Sequence, residues 1–170
     1  MEKSQKTEIA TFAMGCFWQP QYIFSKIKGI VSTCVGYTGC LPNCVNPSYE
    51  EVCSSSTECA EAIEITFNPE EITYSELLDL FWVNHNPTQI NRQGPDVGTQ
   101  YRSAIFYHNE EQKTQALASK TKWKFRLKDK KVKIATEITK ASKFYSAEDY
   151  HQGYLDKTGR ACHISARAFK

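Results

Sequence analysis

From Cys59 to Phe67 the chain alternates residue by residue. Glu61, Ile63, Ile65 and Phe67 share one face, and Ala60, Ala62, Glu64 and Thr66 share the other. Side chains along a strand point to opposite faces with a period of two, so this stretch predicts a sheet strand with one apolar face on a core. Downstream, Thr73-Tyr74-Ser75-Glu76 is a capping box that opens a helix. Leu77, Leu78, Phe81 and Trp82 recur at helical spacing, and the helix must end before Pro87. A half-apolar strand followed directly by an amphipathic helix restricts the chain to folds that pack helices on a sheet.

The remaining segments fill in that plan. Glu8 to Ala13 predicts a strand that runs into a turn at Gly15. Trp18, Tyr22, Ile23 and Ile27 predict a helix over Phe17 to Lys28, with Pro20 tolerated in its first turn and Gly29 as its stop. Ile30 to Tyr37 reads as a strand and Thr38 to Pro47 as a loop. Gln89 to Thr99 reads as a loop, Ser103 to Tyr107 as a strand, and Asn109 to about Lys124 as an exposed helix. Lys133 to Ile138 predicts a further strand and Ala147 to Leu155 a short helix. Residues from about 157 to 170 read as a mobile tail. There is no internal repeat or low-complexity linker, so residues 1–170 are expected to form a single catalytic domain. The class is α+β: a two-layer sandwich with helices on a mixed or antiparallel sheet.

Bulk properties exclude several function classes. A formal net charge of +2 on 170 residues gives no reason to expect a nucleic-acid or membrane partner. No run approaches the 18 apolar residues of a membrane span, and the opening MEKSQKTEIA lacks an apolar signal region. A cytoplasmic protein is therefore expected. The seven cysteines are an odd number without a secretory context, which favours buried, catalytic or metal-binding thiols over a disulfide scaffold. Cys40-x3-Cys44 and Cys53-x5-Cys59 are not the tight CxxC pairs of a zinc site, so neither a metal nor a cofactor is expected.

Two residues carry the candidate chemistry. Cys16 lies between a predicted strand and a predicted helix, where unpaired N–H groups and the helix dipole favour an anion and hence a thiolate. Phe17 and Trp18 place an aromatic wall beside it. The same position also suits a small buried residue at a junction. Glu61 shares a face with Ile63, Ile65 and Phe67. Pointed inward, it would hold its proton to high pH and serve as a general acid. Near a strand end it could equally turn to solvent.

Six motifs extend these two residues. Gly15-Cys16-Phe17-Trp18, Gly36-Tyr37-Thr38-Gly39, Asn46-Pro47-Ser48-Tyr49 and Glu51-Val52-Cys53-Ser54 occur in that order. They are followed by Gly98-Thr99-Gln100-Tyr101-Arg102-Ser103-Ala104-Ile105 and by Phe144-Tyr145-Ser146-Ala147-Glu148-Asp149-Tyr150-His151-Gln152. Over residues 8 to 156 the sequence resembles the A-type peptide methionine sulfoxide reductases. The resemblance implies an α+β sandwich with a ferredoxin-like core. It also implies reduction of the S epimer of methionine sulfoxide, free or in proteins. In that chemistry a Cys16 thiolate attacks the sulfoxide sulfur and becomes a sulfenic acid, a second thiol closes a disulfide, and an external dithiol such as thioredoxin reduces it. By the same resemblance Glu61 matches the proton donor, and Tyr49 and Tyr101 match phenols that bond the sulfoxide oxygen. Asp96 matches an acidic residue that positions substrate and water, and Phe17 and Trp18 would hold the S-methyl group. His151 is expected to anchor the last helix near the pocket.

The departures from the family pattern concern cysteine. Cys40 stands where a second glycine is usual, Cys44 lies in a longer loop, and Cys59 replaces a histidine, with Glu58 for a glycine. Cys162, in the tail, is the first candidate for the resolving thiol, and Cys40, Cys44 and Cys59 are the others. Cys53 matches a family cysteine that is not normally required, and Cys34 reads as a core residue. A thiol redox sensor or an inactive scaffold would not need the phenols and the acid.

Overall fold

The structure, a computed structural model, describes residues 6–160. Cys162 and most of the expected tail lie outside the described residues. The strands are β1 (Glu8–Met14), β2 (Ile30–Thr38), β3 (Ala60–Phe67), β4 (Arg92–Gln93), β5 (Asp96–Val97), β6 (Ser103–Tyr107), β7 (Glu137–Lys140) and β8 (Tyr145–Ser146). The helices are α1 (Trp18–Phe24), α2 (Tyr49–Cys53), α3 (Tyr74–Val83), α4 (Glu110–Arg126) and α5 (Tyr154–Thr158). One six-stranded sheet runs β7-β6-β1-β3-β2-β8, and β4 pairs with β5 in a small hairpin. All its ladders are antiparallel except β6–β7, which is parallel, so the sheet is mixed. Its four central strands, β6-β1-β3-β2, are joined in the order β1-α1-β2-β3-α3-β6, the split β-α-β-β-α-β arrangement.

The alternation of β3 is realised in space. Ile63, Ile65 and Phe67 are fully buried in the main core with Phe12, Phe24, Leu77, Phe81 and Trp82. Phe12 packs against Phe81 at a ring separation of 5.1 Å and against Phe24 at 6.0 Å. Each such side chain contributes roughly 1.5–3 kcal/mol on burial, which fixes α1 and α3 on this face. The opposite face buries the small residues Ala13, Ala60, Ala62 and Ala104 with Phe106, and Ala141 and Phe144 lie over them. Gly36 makes this covering possible. A Cβ there would meet the Tyr145 carbonyl oxygen and the Phe144 ring, so β8 can pair with β2 only beside glycine.

Several elements differ from expectation. The first helix stops at Phe24, and its buried residues are Pro20, Gln21 and Phe24, while Tyr22 is exposed. Gln21 is held inside because its Oε1 accepts the Gly153 N–H at 2.8 Å. The strand expected over Lys133 to Ile138 forms later, at Glu137–Lys140. Residues 135 and 136 are diverted by the Ala135 N–H bond to the Pro87 carbonyl and the Lys120 ammonium bond to the Thr136 carbonyl. The helix expected over Ala147 to Leu155 breaks into a 3-10 turn at Asp149–His151 and α5, because Gly153 takes a left-handed conformation with φ 65°. Cys34 is half-buried rather than core, with its thiol 3.5 Å from Ser146 Oγ on the edge strand β8.

Candidate active site

Cys16 follows β1 and precedes α1, as the sequence predicts. Gly15 adopts φ 85°, the left-handed region that glycine enters without a steric cost, and this turns the chain sharply between strand and helix. Cys16 is half-buried, directly before Phe17, which caps the helix.

Glu61 points inward. It is 1% exposed, and its carboxyl oxygen accepts the Phe17 N–H at 3.2 Å. The amide next to the candidate nucleophile is thus bonded to the candidate acid. Burial raises the Glu61 pKa to about 8, the Phe17 N–H pulls it down, and the nearby Asp96 charge pushes it up. The group is therefore protonated at neutral pH and can give up its proton, the behaviour expected of a general acid.

Tyr49 and Tyr101 are half-buried on separate segments, the first residue of α2 and the last of a 3-10 turn before β6. Ser48 caps α2 in a reciprocal capping box with Glu51. Burial is the main cause raising both phenol pKa values, with Glu61 adding to each. Cys16 and Asp96 also act on Tyr101, which brings all three to one place. Both phenols remain O–H donors across the physiological range. Asp96 occupies β5, whose hairpin with β4 carries it toward Glu61 and Tyr101.

The aromatic wall is layered. Phe17 is 1% exposed and packs on Tyr37 at 5.8 Å and edge-on to His151 at 5.1 Å. Trp18 is half-buried, stacks on Tyr154 at 3.8 Å, and donates its indole N–H to His151 Nδ1 at 3.1 Å. Burial lowers the His151 pKa against a smaller opposing effect of Glu148. A neutral ring accepting at Nδ1 carries its proton on Nε2, which lies 3.5 Å from the Glu148 carboxylate. His151 therefore ties the last turn to the site, as expected.

Glu148 is a residue that sequence reasoning passed over. Its Oε1 accepts the Tyr49 N–H at 3.2 Å, and the Tyr37 hydroxyl lies 3.4 Å from both its oxygens. It lay inside the Phe144–Gln152 motif, but only the tertiary fold shows what it holds. Cys53 shares a side-chain hydrogen bond with Tyr49, and burial raises its thiol pKa against that bond, which leaves it a poor thiolate source.

Three of the remaining cysteines form one group. Cys40 and Cys59 are joined by a disulfide, and Cys44 Sγ lies 3.7 Å from Cys59 Sγ. The three sulfurs lie within 4.8 Å of one another.

The family model described as peptide methionine sulfoxide reductase matches residues 8–170. The peptide methionine sulfoxide reductase MsrA of Methanosarcina acetivorans is 52% identical over 163 residues, covering 96% of this chain and 85% of that relative. The solved structure of Saccharomyces cerevisiae Mxr1 in reduced form superposes with a TM-score of 0.88 at 36% identity, over 98% of this chain and 93% of that one. Mxr1 in complex with Trx2 is similar at a TM-score of 0.60 and 26% identity, over 91% of this chain and 88% of that one. With its cysteine, its buried acid and its phenols gathered on that shared fold, the chain belongs to the peptide methionine sulfoxide reductase family.

Proposed function

We propose that the protein reduces the S epimer of methionine sulfoxide, free or in proteins, to methionine. The observation that carries this reading is the buried, protonated Glu61 bonded to the N–H beside Cys16. The Cys16 thiolate attacks the sulfoxide sulfur. Glu61 supplies the proton that the sulfoxide oxygen needs, and the Tyr49 and Tyr101 hydroxyls donate to that oxygen as its charge develops. Asp96 orients substrate and water, and Phe17 with Trp18 receives the S-methyl group. A sulfur with methyl, oxygen and side chain in fixed pockets admits one configuration, which gives epimer selectivity.

The reaction leaves Cys16 as a sulfenic acid, and condensation with a second thiol expels water and forms a disulfide. Cys162 and the group Cys40, Cys44 and Cys59 are the candidates for that thiol. A dithiol protein of the thioredoxin class returns the enzyme to its thiol state, a partnership supported by the Mxr1–Trx2 complex. The chemistry needs a reducing compartment, and we place it in the cytoplasm; no described helix is long and apolar enough to cross a membrane. Incubation with dithiothreitol and racemic methionine sulfoxide tests the activity. Half of the sulfoxide is consumed, and the S epimer disappears. Equal behaviour of wild type and Cys16→Ser would overturn the reading.

A further inference from the structure

A disulfide needs two cysteines, yet three stand together beside this site. Cys59 immediately precedes β3, two residues before Glu61, and it is buried in the same core as Ile63 and Ile65. Two residues along a strand span about 7 Å. The pair is therefore one step from the carboxyl that touches the amide after Cys16. Arg102, next to Tyr101, clamps both halves. Its Nη1 donates to the Glu58 carbonyl at 2.9 Å and its Nη2 to the Gly39 carbonyl at 3.1 Å, each the residue before a bonded cysteine. Cys59 is 1% exposed, so an external protein cannot reach its sulfur directly. Cys44 is placed differently. It borders a surface cavity of about 230 Å³, lined also by Asn43, Val45 and Thr57. The exposed apolar side chains Leu41 and Val45 flank it in the chain.

We propose that Cys40, Cys44 and Cys59 form a thiol–disulfide exchange centre that carries the oxidising equivalent from Cys16 to an external dithiol protein. The proposal rests on the reductase reading above. The Cys40 thiol condenses with the Cys16 sulfenic acid, forming Cys16–S–S–Cys40 and releasing water. The Cys59 thiolate attacks Cys40 Sγ, which forms the observed Cys40–Cys59 bond and returns the Cys16 thiolate. The Cys44 thiolate, 3.7 Å from Cys59 Sγ, then attacks that sulfur and expels the Cys40 thiolate. The disulfide now joins Cys44 and Cys59 and is open at Cys44. A thiolate of the external dithiol attacks Cys44 Sγ, and its second thiol closes the partner's disulfide and leaves Cys44 and Cys59 as thiols. The net change is one sulfoxide reduced to methionine and water, and one dithiol oxidised. The Cys40–Cys59 bond leaves one thiol in the oxidised group, and only the reduced group offers three to a metal ion.

The test uses the full chain, reduced with dithiothreitol and then freed of it, given S-methionine sulfoxide without reductant. Methionine is counted first. Its absence would overturn the reductase reading itself. With methionine formed, rapid thiol alkylation and peptide mapping are expected to find Cys40–Cys59 or Cys44–Cys59 in proportion to methionine, in wild type and in Cys162→Ser alike. In Cys44→Ser, turnover driven by a thioredoxin-class protein is expected to fall about tenfold or more, while the small reductant dithiothreitol restores it. A Cys16–Cys162 bond with the three thiols still alkylated would overturn the proposal. So would loss of the mapped bonds in Cys162→Ser, equal protein-driven turnover in Cys44→Ser, or one equivalent of zinc retained on the three unreacted thiols of the reduced chain.

Discussion

Replacing Glu61 by glutamine removes one proton and almost nothing else. The amide oxygen can still accept the Phe17 N–H that the carboxyl oxygen accepts at 3.2 Å, and the side chain keeps its shape in a site that is 1% exposed. What disappears is an acid whose pKa burial has raised from 4.5 to about 8. A positioned general acid contributes about 10²- to 10⁴-fold, so methionine formation in a single turnover is expected to slow by that factor. The wild-type rate should fall as pH rises through about 8, where Glu61 loses its proton, and Glu61→Gln should lack that limb. Stability also falls as pH rises. The unfolded carboxyl ionises near 4.5 and the folded one near 8, so the folded wild type binds the extra proton and loses stability as pH rises between them. At about 1.4 kcal/mol per pH unit the full loss is about 5 kcal/mol, and the glutamine variant escapes it. Quenched-flow counting of methionine and urea melts, both from about pH 5 to about pH 9, read the two effects. A variant that kept both the wild-type rate and its alkaline limb would show that another group delivers the proton.

The other perturbations separate the phenols, the edge strand and the buried histidine. Tyr49→Phe and Tyr101→Phe each remove one donor to the sulfoxide oxygen and should cost about 10- to 100-fold in kcat/KM, with the double variant worse than either; unchanged values in both would remove them from the reaction. Gly36→Ala puts a methyl group into the Tyr145 carbonyl and the Phe144 ring, and should destabilise the protein by about 1–3 kcal/mol while loosening β8, read by urea melts and amide exchange. His85 is buried between the Phe81 carbonyl and the Ser103 hydroxyl, each at 2.7 Å, and burial lowers its pKa to about 4. The unfolded ring takes up a proton below about 6.5 and the folded one does not. Wild type should therefore lose up to about 3 kcal/mol as pH falls from about 6.5 to about 4, and His85→Gln should not show this dependence.

The parts legible in the sequence were those set by local periodicity. The alternation of residues 60–67 put Glu61 on the face of Ile63 and Ile65 but left open whether it turns to solvent, which its burial decides, and the Thr73 capping box started α3 where the structure has it. Gly15 marked the turn before Cys16 because a left-handed residue there admits little else. Helix α2 was missed although Ser48 and Glu51 form the same kind of box, since only five helical residues follow and they carry no apolar period. β7 was placed early because Ile134 and Ile138 look alike in sequence. Only the tertiary bonds of Ala135 and Thr136 decide which residues join β6. The pairing of Cys40 with Cys59 was equally out of reach. It depends on the β2–β3 ladder, whose last pair, Thr38 and Ala60, brings the segment after β2 beside the one before β3, and register is a property of two strands together.

Glu148 shows how residues far apart in the chain can set one reaction geometry. It receives the Tyr49 N–H, stands 3.4 Å from the Tyr37 hydroxyl, and faces His151 Nε2 at 3.5 Å. His151 in turn accepts the Trp18 indole N–H, and its ring lies 4.6 Å from that of Tyr49. Tyr37 pairs across the ladder with Glu61. One carboxylate thus connects a proposed oxygen-binding phenol, the proposed methyl-binding wall and the strand beside the acid. Its removal would leave the Tyr49 amide and the His151 ring without that partner, freeing α2 to shift while Cys16 stays at the β1–α1 junction and Glu61 on β3. A misplacement of about 1 Å can cost about 10²-fold in rate. The expected signature of Glu148→Ala, which removes the acceptor of the Tyr49 N–H, is therefore a fall in kcat with the alkaline limb of Glu61 unchanged, because the carboxyl that sets that limb is buried independently by Phe17 and the core. A shift of that limb would instead mean that Glu148 helps to keep water from the acid.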